Sequence, residues 1–320
     1  MSTLPVSVVI PALNRQRFLR QAVESARAQR PWRPAEIIVV DDGSTDGTAE
    51  VARQLGVKLI RHDENRGAAA ARNTGVRAAS QPWVALLDSD DEWLRHHLAT
   101  LWPHRHGRVL VSGAALTSGG GTEPDRYAGV PGRRPRTISS PADIIWPENF
   151  IATSGTLVRT DAVREVGGFD DSLGHAEDLD LWIRLLERRP GLALPVVVYR
   201  WRTHPDQTSK GSSAPRRVQR EIVWRYTPRA WCGHRLAQRR LAVAEWDDLR
   251  LALVERRLRA AVRSAAWLIA RPERLRGLLG LLAWRWRLRR RSEFEWRTRQ
   301  SSAGRRTAAQ NRSQPRPELC

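Results

Sequence analysis

Four short runs, Val6–Ile10, Glu36–Val40, Val57–Ile60 and Trp83–Leu87, are almost wholly apolar, and a stretch of helical character separates each from the next. Phe18, Leu19, Ala22, Val23 and Ala26 recur at helical spacing, a second helical stretch passes through Val51 and Leu55, and Ala68–Ala79 is alanine-rich. A strand apolar at successive positions must be buried on both faces, which helices on the two sides of a parallel sheet provide. The pattern predicts an α/β chain with a mostly parallel, Rossmann-like central sheet flanked by helices. Ligands of such sheets bind beyond the carboxyl ends of the strands. The polar clusters after Ile10, Val40 and Leu87 are therefore expected on one rim.

The most pointed of these clusters is Asp88-Ser89-Asp90-Asp91, directly after the fourth run. Carboxylates packed this closely repel one another, and a bound cation relieves the repulsion. Hard oxygen donors favour Mg²⁺ or Mn²⁺, ions that commonly take one or two carboxylates together with substrate phosphates. A solvated acidic turn or helix cap would read the same way from the tetrad alone. Asp41-Asp42-Gly43-Ser44 would place two carboxylates and a turn where a nucleotide could lie, although Asp-Gly after a strand also makes an ordinary turn. Arg66-Gly67 and Arg72-Asn73 add positive charge that suits a diphosphate or simply faces solvent. Glu177-Asp178 open a helix read over 176–189. They suit the positive end of the helix dipole, or supply a general base. Asp180, two residues on, is expected on a different helix face.

Further along, 119–135 reads as a loop, 150–158 as a strand, Gly167-Gly168-Phe169-Asp170 as a turn and 192–198 as the last strand.

Five segments occur in order: Val6–Asn14, Val40–Asp46, Asn65-Arg66-Gly67 with Arg72-Asn73, Leu87–Asp91, and Val166–Asp170 with Glu177-Asp178. Together they closely resemble family 2 glycosyltransferases of the GT-A fold over roughly residues 4–204. The resemblance implies an inverting transferase that moves a sugar from a nucleoside-diphosphate donor, a UDP-sugar being favoured, to a hydroxyl acceptor with a divalent metal, Mg²⁺ or Mn²⁺. It implies that Pro11 and Asn14 line the nucleotide pocket, although Leu13 stands where the family often has an aromatic. Asp41 and Asp42 would face the nucleotide, Asp42 the base, and Arg72 would help hold it. Asp88 and Asp90 resemble the DxD pair, with Asp90 the direct metal ligand and Asp88 contacting ribose or metal-bound water. Asp178 resembles the catalytic base. Glu177, Arg66, Gly67 and Asp91 are supporting residues, and His204 falls where relatives often carry a histidine near the diphosphate, which makes it a further candidate metal ligand.

Charge divides the chain. Residues 1–214 carry 27 Lys and Arg against 25 Asp and Glu, and 215–320 carry 27 against 9, so nearly all of the net +20 lies in the last third. The sequence reads as a catalytic domain at 1–208, a linker at 209–215, an amphipathic basic helical extension at 216–299 and a disordered tail at 300–320. Within the extension, Leu251, Val254, Leu258, Val262, Ala265 and Leu268 form one stripe, broken at Pro272, and Leu275, Leu278, Leu282 and Trp286 form another. A basic amphipathic surface suits an anionic membrane. The alternative is that these helices pack back on the catalytic domain. Two cysteines exclude a disulfide framework and a cysteine-built zinc cluster. The N-terminus shows no secretory signal, and no apolar run is long enough to span a bilayer. The expected location is cytoplasmic, peripheral on the inner face of the cell membrane.

Rival functions fare less well. A sugar nucleotidyltransferase would need a glycine-rich phosphate loop where this chain has Pro11-Ala12-Leu13-Asn14, and a dinucleotide-dependent oxidoreductase would need GxGxxG. Nucleic-acid binding through the tail could draw on Trp224, Trp231, Trp284 and Trp286 among arginines, but no recognised nucleic-acid motif accompanies them.

Overall fold

The apolar runs become strands, three of them largely buried and the run at 57–60 a partly exposed edge. In the computed structural model, which describes residues 2–118, 126–146, 148–204 and 214–312, the chain opens with β1 (Thr3–Ala12), α1 (Gln16–Arg27), β2 (Arg33–Asp41), α2 (Thr48–Gln54), β3 (Lys58–Arg61), α3 (Ala68–Ala78) and β4 (Trp83–Leu86). β5 (Glu92–Trp93), α4 (His97–Leu101), β6 (Leu110–Ser118), β7 (Arg126–Ala128), β8 (Arg136–Ile138) and α5 (Ala142–Ile145) follow. β9 (Thr156–Arg159), α6 (Thr160–Glu165), α7 (Glu177–Leu186) and β10 (Gly191–Arg202) complete the sheet.

The strand order is β3-β2-β1-β4-β9-β6-β10-β5, with β7 beside β6 and β8 beside β10. β1 to β4 pair in parallel as expected. The second half is mixed, because β9 runs antiparallel to β4 and β6, and β5 antiparallel to β10. Both faces are covered. α1 buries Leu19, Ala22, Val23 and Ala26 against Val8, Ile10 and Val39, and on the other face Trp182, Ile183 and Leu185 of α7 join Val9, Val40 and Leu86.

Register places the site. Ala12 pairs with Asp41 and Val9 with Leu86, while the Asp42 N–H donates to Ala12 O (2.8 Å) and the Leu87 N–H to Val9 O (3.1 Å). β1 and β2 therefore finish level and β4 ends about three residues short of them, and the chain leaves β1 for β2 on one side and reaches β4 on the other. A crevice opens at such a switch point.

Several sequence boundaries are corrected. The strand expected over 150–158 is confined to β9, because local bonds capture its first half: Asn149 brackets Ile151 at 3.0 and 3.1 Å, and Thr153–Gly155 form a 3₁₀ turn. The last strand extends four residues beyond 198. In the region read as a loop, β7 pairs with β6, and 119–125 lie outside the described residues.

The extension holds four helices rather than two: α8 (Ala214–Tyr226), α9 (Gly233–Val254), α10 (Leu258–Ile269) and α11 (Pro272–Arg312). Of the linker at 209–215, residues 209–213 lie outside the described residues and the rest begins α8. The stripe from Leu251 to Leu268 is cut between α9 and α10, where Arg256 takes a φ of 57°. α11 continues through Arg312, so the tail expected to be disordered from 300 is helical to that point; 313–320 lie outside the described residues.

These helices pack back on the sheet domain. Ile222, Tyr226 and Trp284 join its core, Trp284 meets Phe150 with ring centroids 5.6 Å apart, and a Cβ at Gly280 would sit 2.2 Å from the Trp146 ring. Arg285 of α11 donates to Glu148 (2.5 Å) and to Asp247 of α9 (3.2 Å). Among the described residues no helix is long and apolar enough to cross a membrane.

Candidate active site

A cleft of about 1140 Å³ lies on the rim where β1, β2 and β4 end. Pro11 to Arg15, Asp42, Gly67, Arg72 and the whole 88–91 tetrad line it, with Glu177, Asp178, Tyr199 and Trp201 opposite, and α9 contributes Arg240, Val243 and Asp247.

The first wall is a set of turns tied by their own side chains. Asn14, at a φ of 53° that asparagine tolerates, accepts the Thr45 N–H at 2.9 Å, and its own N–H donates to Ser44 Oγ at 2.9 Å. Asp41 is fully buried, accepts the Ser44 N–H at 3.0 Å and pairs with Arg61 at 3.3 Å. It does not line the cleft, which corrects its expected place in the donor site: it holds the turn from behind. Asp42 does line it, and accepts the N–H groups of Arg66 (3.0 Å) and Gly67 (2.8 Å) and a contact from His62 (2.7 Å). Gly43, at a φ of 76°, lets this turn abut the neighbouring loop, since a Cβ there would lie 2.5 Å from the Glu64 backbone. Gly67 reaches the cleft, but the exposed Arg66 side chain does not, so Arg66 serves through its backbone.

The tetrad divides its labour. Asp91 is buried and accepts from Ser154 Oγ (2.6 Å) and the Arg202 N–H (3.2 Å). Burial, with Asp88 and Asp90 adding to it, pushes its carboxyl well above the usual carboxylate range. Ser154 Oγ also accepts the Asp88 N–H at 3.0 Å, which fixes the strand end. Asp90 Oδ2 meets Arg15 Nε at 3.3 Å and His204 Nε2 at 2.9 Å. His204 packs against Phe18 with the rings tilted by 32° and centroids 4.8 Å apart, and is not among the residues that line the cleft.

Arg72 joins the two acidic groups. Its terminal nitrogens donate at 2.7 Å to Asp88 Oδ1 and at 2.7 Å to Glu177 Oε1. Burial works against its charge, but Asp88 and Glu177 outweigh burial and raise its pKa. With both terminal nitrogens engaged, Arg72 is a strut between the two carboxylates and itself lines the cleft.

α7 begins abruptly. Ala176 takes the left-handed conformation (φ 57°), a strained choice for a residue with a Cβ, and turns Glu177 and Asp178 into the cleft. Loss of surrounding water, then the adjacent Glu177 charge, push Asp178 up to about 7, against the pull of the Leu179 N–H and Arg72. A carboxyl with that affinity is suited to accept a proton near neutrality. Asp180 lies elsewhere, as its spacing predicts: it pairs with Arg184 (2.8 Å), Arg225 (3.1 Å) and Tyr226 (2.8 Å), away from the cleft.

The donor set suits a hard divalent ion. Among the described residues no group of three or more His, Cys, Asp or Glu could enclose a metal. Asp88 and Asp90 instead offer two carboxylates on the cleft, each already drawing an arginine (Arg72, Arg15) to its charge. That fits an ion completing its shell with substrate oxygens and water.

Sequence reasoning missed Arg15, Ser154, Tyr199, Trp201 and the three α9 residues. Arg15 adjoins the Asn14 motif and could have been suspected, but nothing local marks Ser154 or α9, whose roles arise from long-range packing.

A family model described as glycosyl transferase family 2 matches residues 7–167. Glycosyltransferase AglE of Haloferax volcanii is 34% identical over 185 residues, 54% of this chain and 58% of the relative. A pre-mycofactocin glycosyltransferase of Mycobacterium tuberculosis is 33% identical over 193 residues, 57% of this chain and 39% of the relative. The chain thus spans less than two thirds of either relative. Among solved structures, S. aureus TarS 1–349 in complex with UDP-GlcNAc superposes with a TM-score of 0.59 at 18% identity, covering 86% of this chain and 82% of that one, a likeness of fold.

Proposed function

The chain belongs to glycosyl transferase family 2, and from that premise we propose that it transfers a sugar from a nucleoside-diphosphate donor, a UDP-sugar, to a hydroxyl acceptor with inversion at the anomeric carbon. The observation that carries the reading is the Arg72 bridge, 2.7 Å to each partner, which unites the tetrad and the Glu177-Asp178 pair in one cleft. Acids opening onto separate surfaces could not serve one displacement.

Asp88 and Asp90 would hold a divalent cation, Mg²⁺ or Mn²⁺, whose chemistry when bound is to neutralise charge gathering on the leaving diphosphate. The 11–15 and 42–45 turns cradle the nucleoside. Asp178 takes the proton from the acceptor hydroxyl as its oxygen attacks the anomeric carbon opposite the leaving group. A single displacement with a single base inverts that centre. His204 acts through Asp90, holding its carboxylate in place.

The acceptor is a glycan, lipid-linked or envelope hydroxyl, met on the cytoplasmic side of the cell membrane. Asp178→Asn tests the core of this: transfer should fall on the order of 10²–10⁴-fold, with donor affinity nearly unchanged. Undiminished turnover would remove Asp178 from the chemistry.

A further inference from the structure

The four helices of the extension have an inner and an outer side, and the outer side is unusual. On α10 the inner positions are Ala261, Ser264 and Leu268, all buried. Leu258, Val262 and Ile269 are instead 71%, 67% and 75% exposed. Spaced by four and seven residues, they share one line along the helix. Leu253 and Val254, at the end of α9, are exposed immediately before them. α11 repeats the arrangement. Leu281 and Trp284 are buried, while Leu275, Leu279, Leu282 and Trp286, spaced by four, three and four, are exposed. Exposed arginines flank both lines: Arg259 and Arg263 on α10, and Arg276, Arg287 and Arg290 on α11. The Arg290 guanidinium lies 4.3 Å from the centre of the Trp286 ring.

Large apolar side chains in ordered exposed rows mark contact surfaces. We propose that this outer face of α10 and α11 docks the enzyme on an anionic lipid surface, the Leu, Val, Ile and Trp rows entering the headgroup boundary while the arginines meet lipid phosphates. Such a helix lies in the interface plane and binds by apolar burial together with attraction to anionic lipid. Charge selects this occupant over a second copy of the chain, because pairing two copies of this face would bring two basic surfaces together. It also selects it over nucleic acid, whose backbone gives a Leu/Val/Ile row nothing apolar to meet. α9 carries Arg240, Val243 and Asp247 on the cleft and runs into the exposed row at Val254. Docking would therefore hold the cleft at a fixed height above the bilayer, where a lipid-linked acceptor presents its hydroxyl.

The inference deepens the acceptor side of the proposed reaction, but its test uses no sugar nucleotide, so the two fail separately. Full-length protein is floated with vesicles of phosphatidylcholine alone, or of phosphatidylcholine with phosphatidylglycerol. Removal of the extension is unsuitable, since Trp284 belongs to the folded core and Arg285 bonds Glu148 and Asp247 of the cleft. The variants are Val262→Asn with Ile269→Asn, Leu279→Asn with Leu282→Asn, and Arg287→Gln with Arg290→Gln, all at exposed positions. Unchanged thermal unfolding confirms the fold of each, and the α10 and α11 pairs stand in for one another. Wild type should float only with phosphatidylglycerol present. Each apolar pair should lower partitioning at least tenfold, and so should raising salt from about 0.1 M to about 1 M, which shortens screening from about 10 Å to about 3 Å. The proposal is overturned if wild type does not float, if the variants float equally, or if wild type is a dimer that the apolar variants dissociate. Equal binding of RNA by wild type and apolar variants, with no flotation, would also overturn it.

Discussion

Asp178→Asn has a second consequence that needs no substrate. The folded protein holds the Asp178 carboxyl at about 7 against an ordinary 3.8, which at about 1.4 kcal/mol per pH unit corresponds to about 4 kcal/mol opposing its charged form. Asp178 keeps some access to the water of the cleft, so screening reduces the figure to about 2 kcal/mol. Below about pH 4 the group is protonated in folded and unfolded chains alike, and an amide in its place changes little. Between about 4 and about 7 the unfolded chain ionises and the folded one does not, so wild-type stability falls as pH rises; above about 7 the loss is complete. Asparagine never ionises, and the variant escapes the loss. Thermal unfolding with a chelator present, at about pH 3 and about pH 8, should therefore give nearly equal midpoints at the lower pH. At the higher pH the variant should melt about 4 °C above wild type, at about 2 °C per kcal/mol for a chain of this length. A difference independent of pH, or a variant less stable at pH 8, would refute the reasoning about the cleft's electrostatics.

Three further substitutions probe the same cleft. Glu177→Gln removes the charge that ranks second to burial in raising Asp178, so the acid limb of the kcat–pH profile should move below its wild-type position; an unmoved limb would show that Glu177 does not act on the base. Arg72→Met leaves Asp88 and Glu177 without the cation between them and should cost about 3–5 kcal/mol in urea unfolding; a loss under 1 kcal/mol would mean that the bridge does not hold the cleft. Asp90→Ala should weaken Mn²⁺-dependent nucleotide affinity at least tenfold by calorimetry while leaving metal-free affinity unchanged. Full Mn²⁺-dependent affinity in that variant would end the metal role of Asp90.

How much of this could be read from residues alone depends on how local each cause is. The β1–β4 half was legible because a doubly buried strand needs an unbroken apolar run, and the tetrad was legible because four polar residues follow such a run. Asp178 stood out by its place in a motif, but its raised proton affinity comes from burial and from Glu177, which spacing does not report. Asp41 and Asp42 look alike in sequence and part in space: the register with Ala12 sends one carboxylate behind the turn and the other onto the rim. Arg72 read as a diphosphate contact, and its bridge between two carboxylates was not legible because those partners lie 16 and 105 residues away. The extension was legible as helical and basic, but the division of its apolar residues was not. Leu268 and Trp284 turn inward while Val262 and Trp286 turn outward, and only packing against α9 and the sheet decides between them.

The family match ends at residue 167, and the cleft does not. Its donor side, from Pro11 to the tetrad, lies inside the matched stretch. Asp178 and the α9 residues Arg240, Val243 and Asp247 lie beyond it. Arg72 already ties Asp88 to Glu177 across that boundary, and Arg285 of α11 ties the α9 wall in the same way, bonded both to Glu148, on the matched side, and to Asp247. Burial opposes the charge on Arg285, yet those two acids raise its proton affinity, so the join is electrostatic as well as steric. A wall fastened in this way cannot be exchanged without altering the cleft beside the base. On the proposed reading, the extension would shape the acceptor side of the cleft, while the strand ends would supply its donor side.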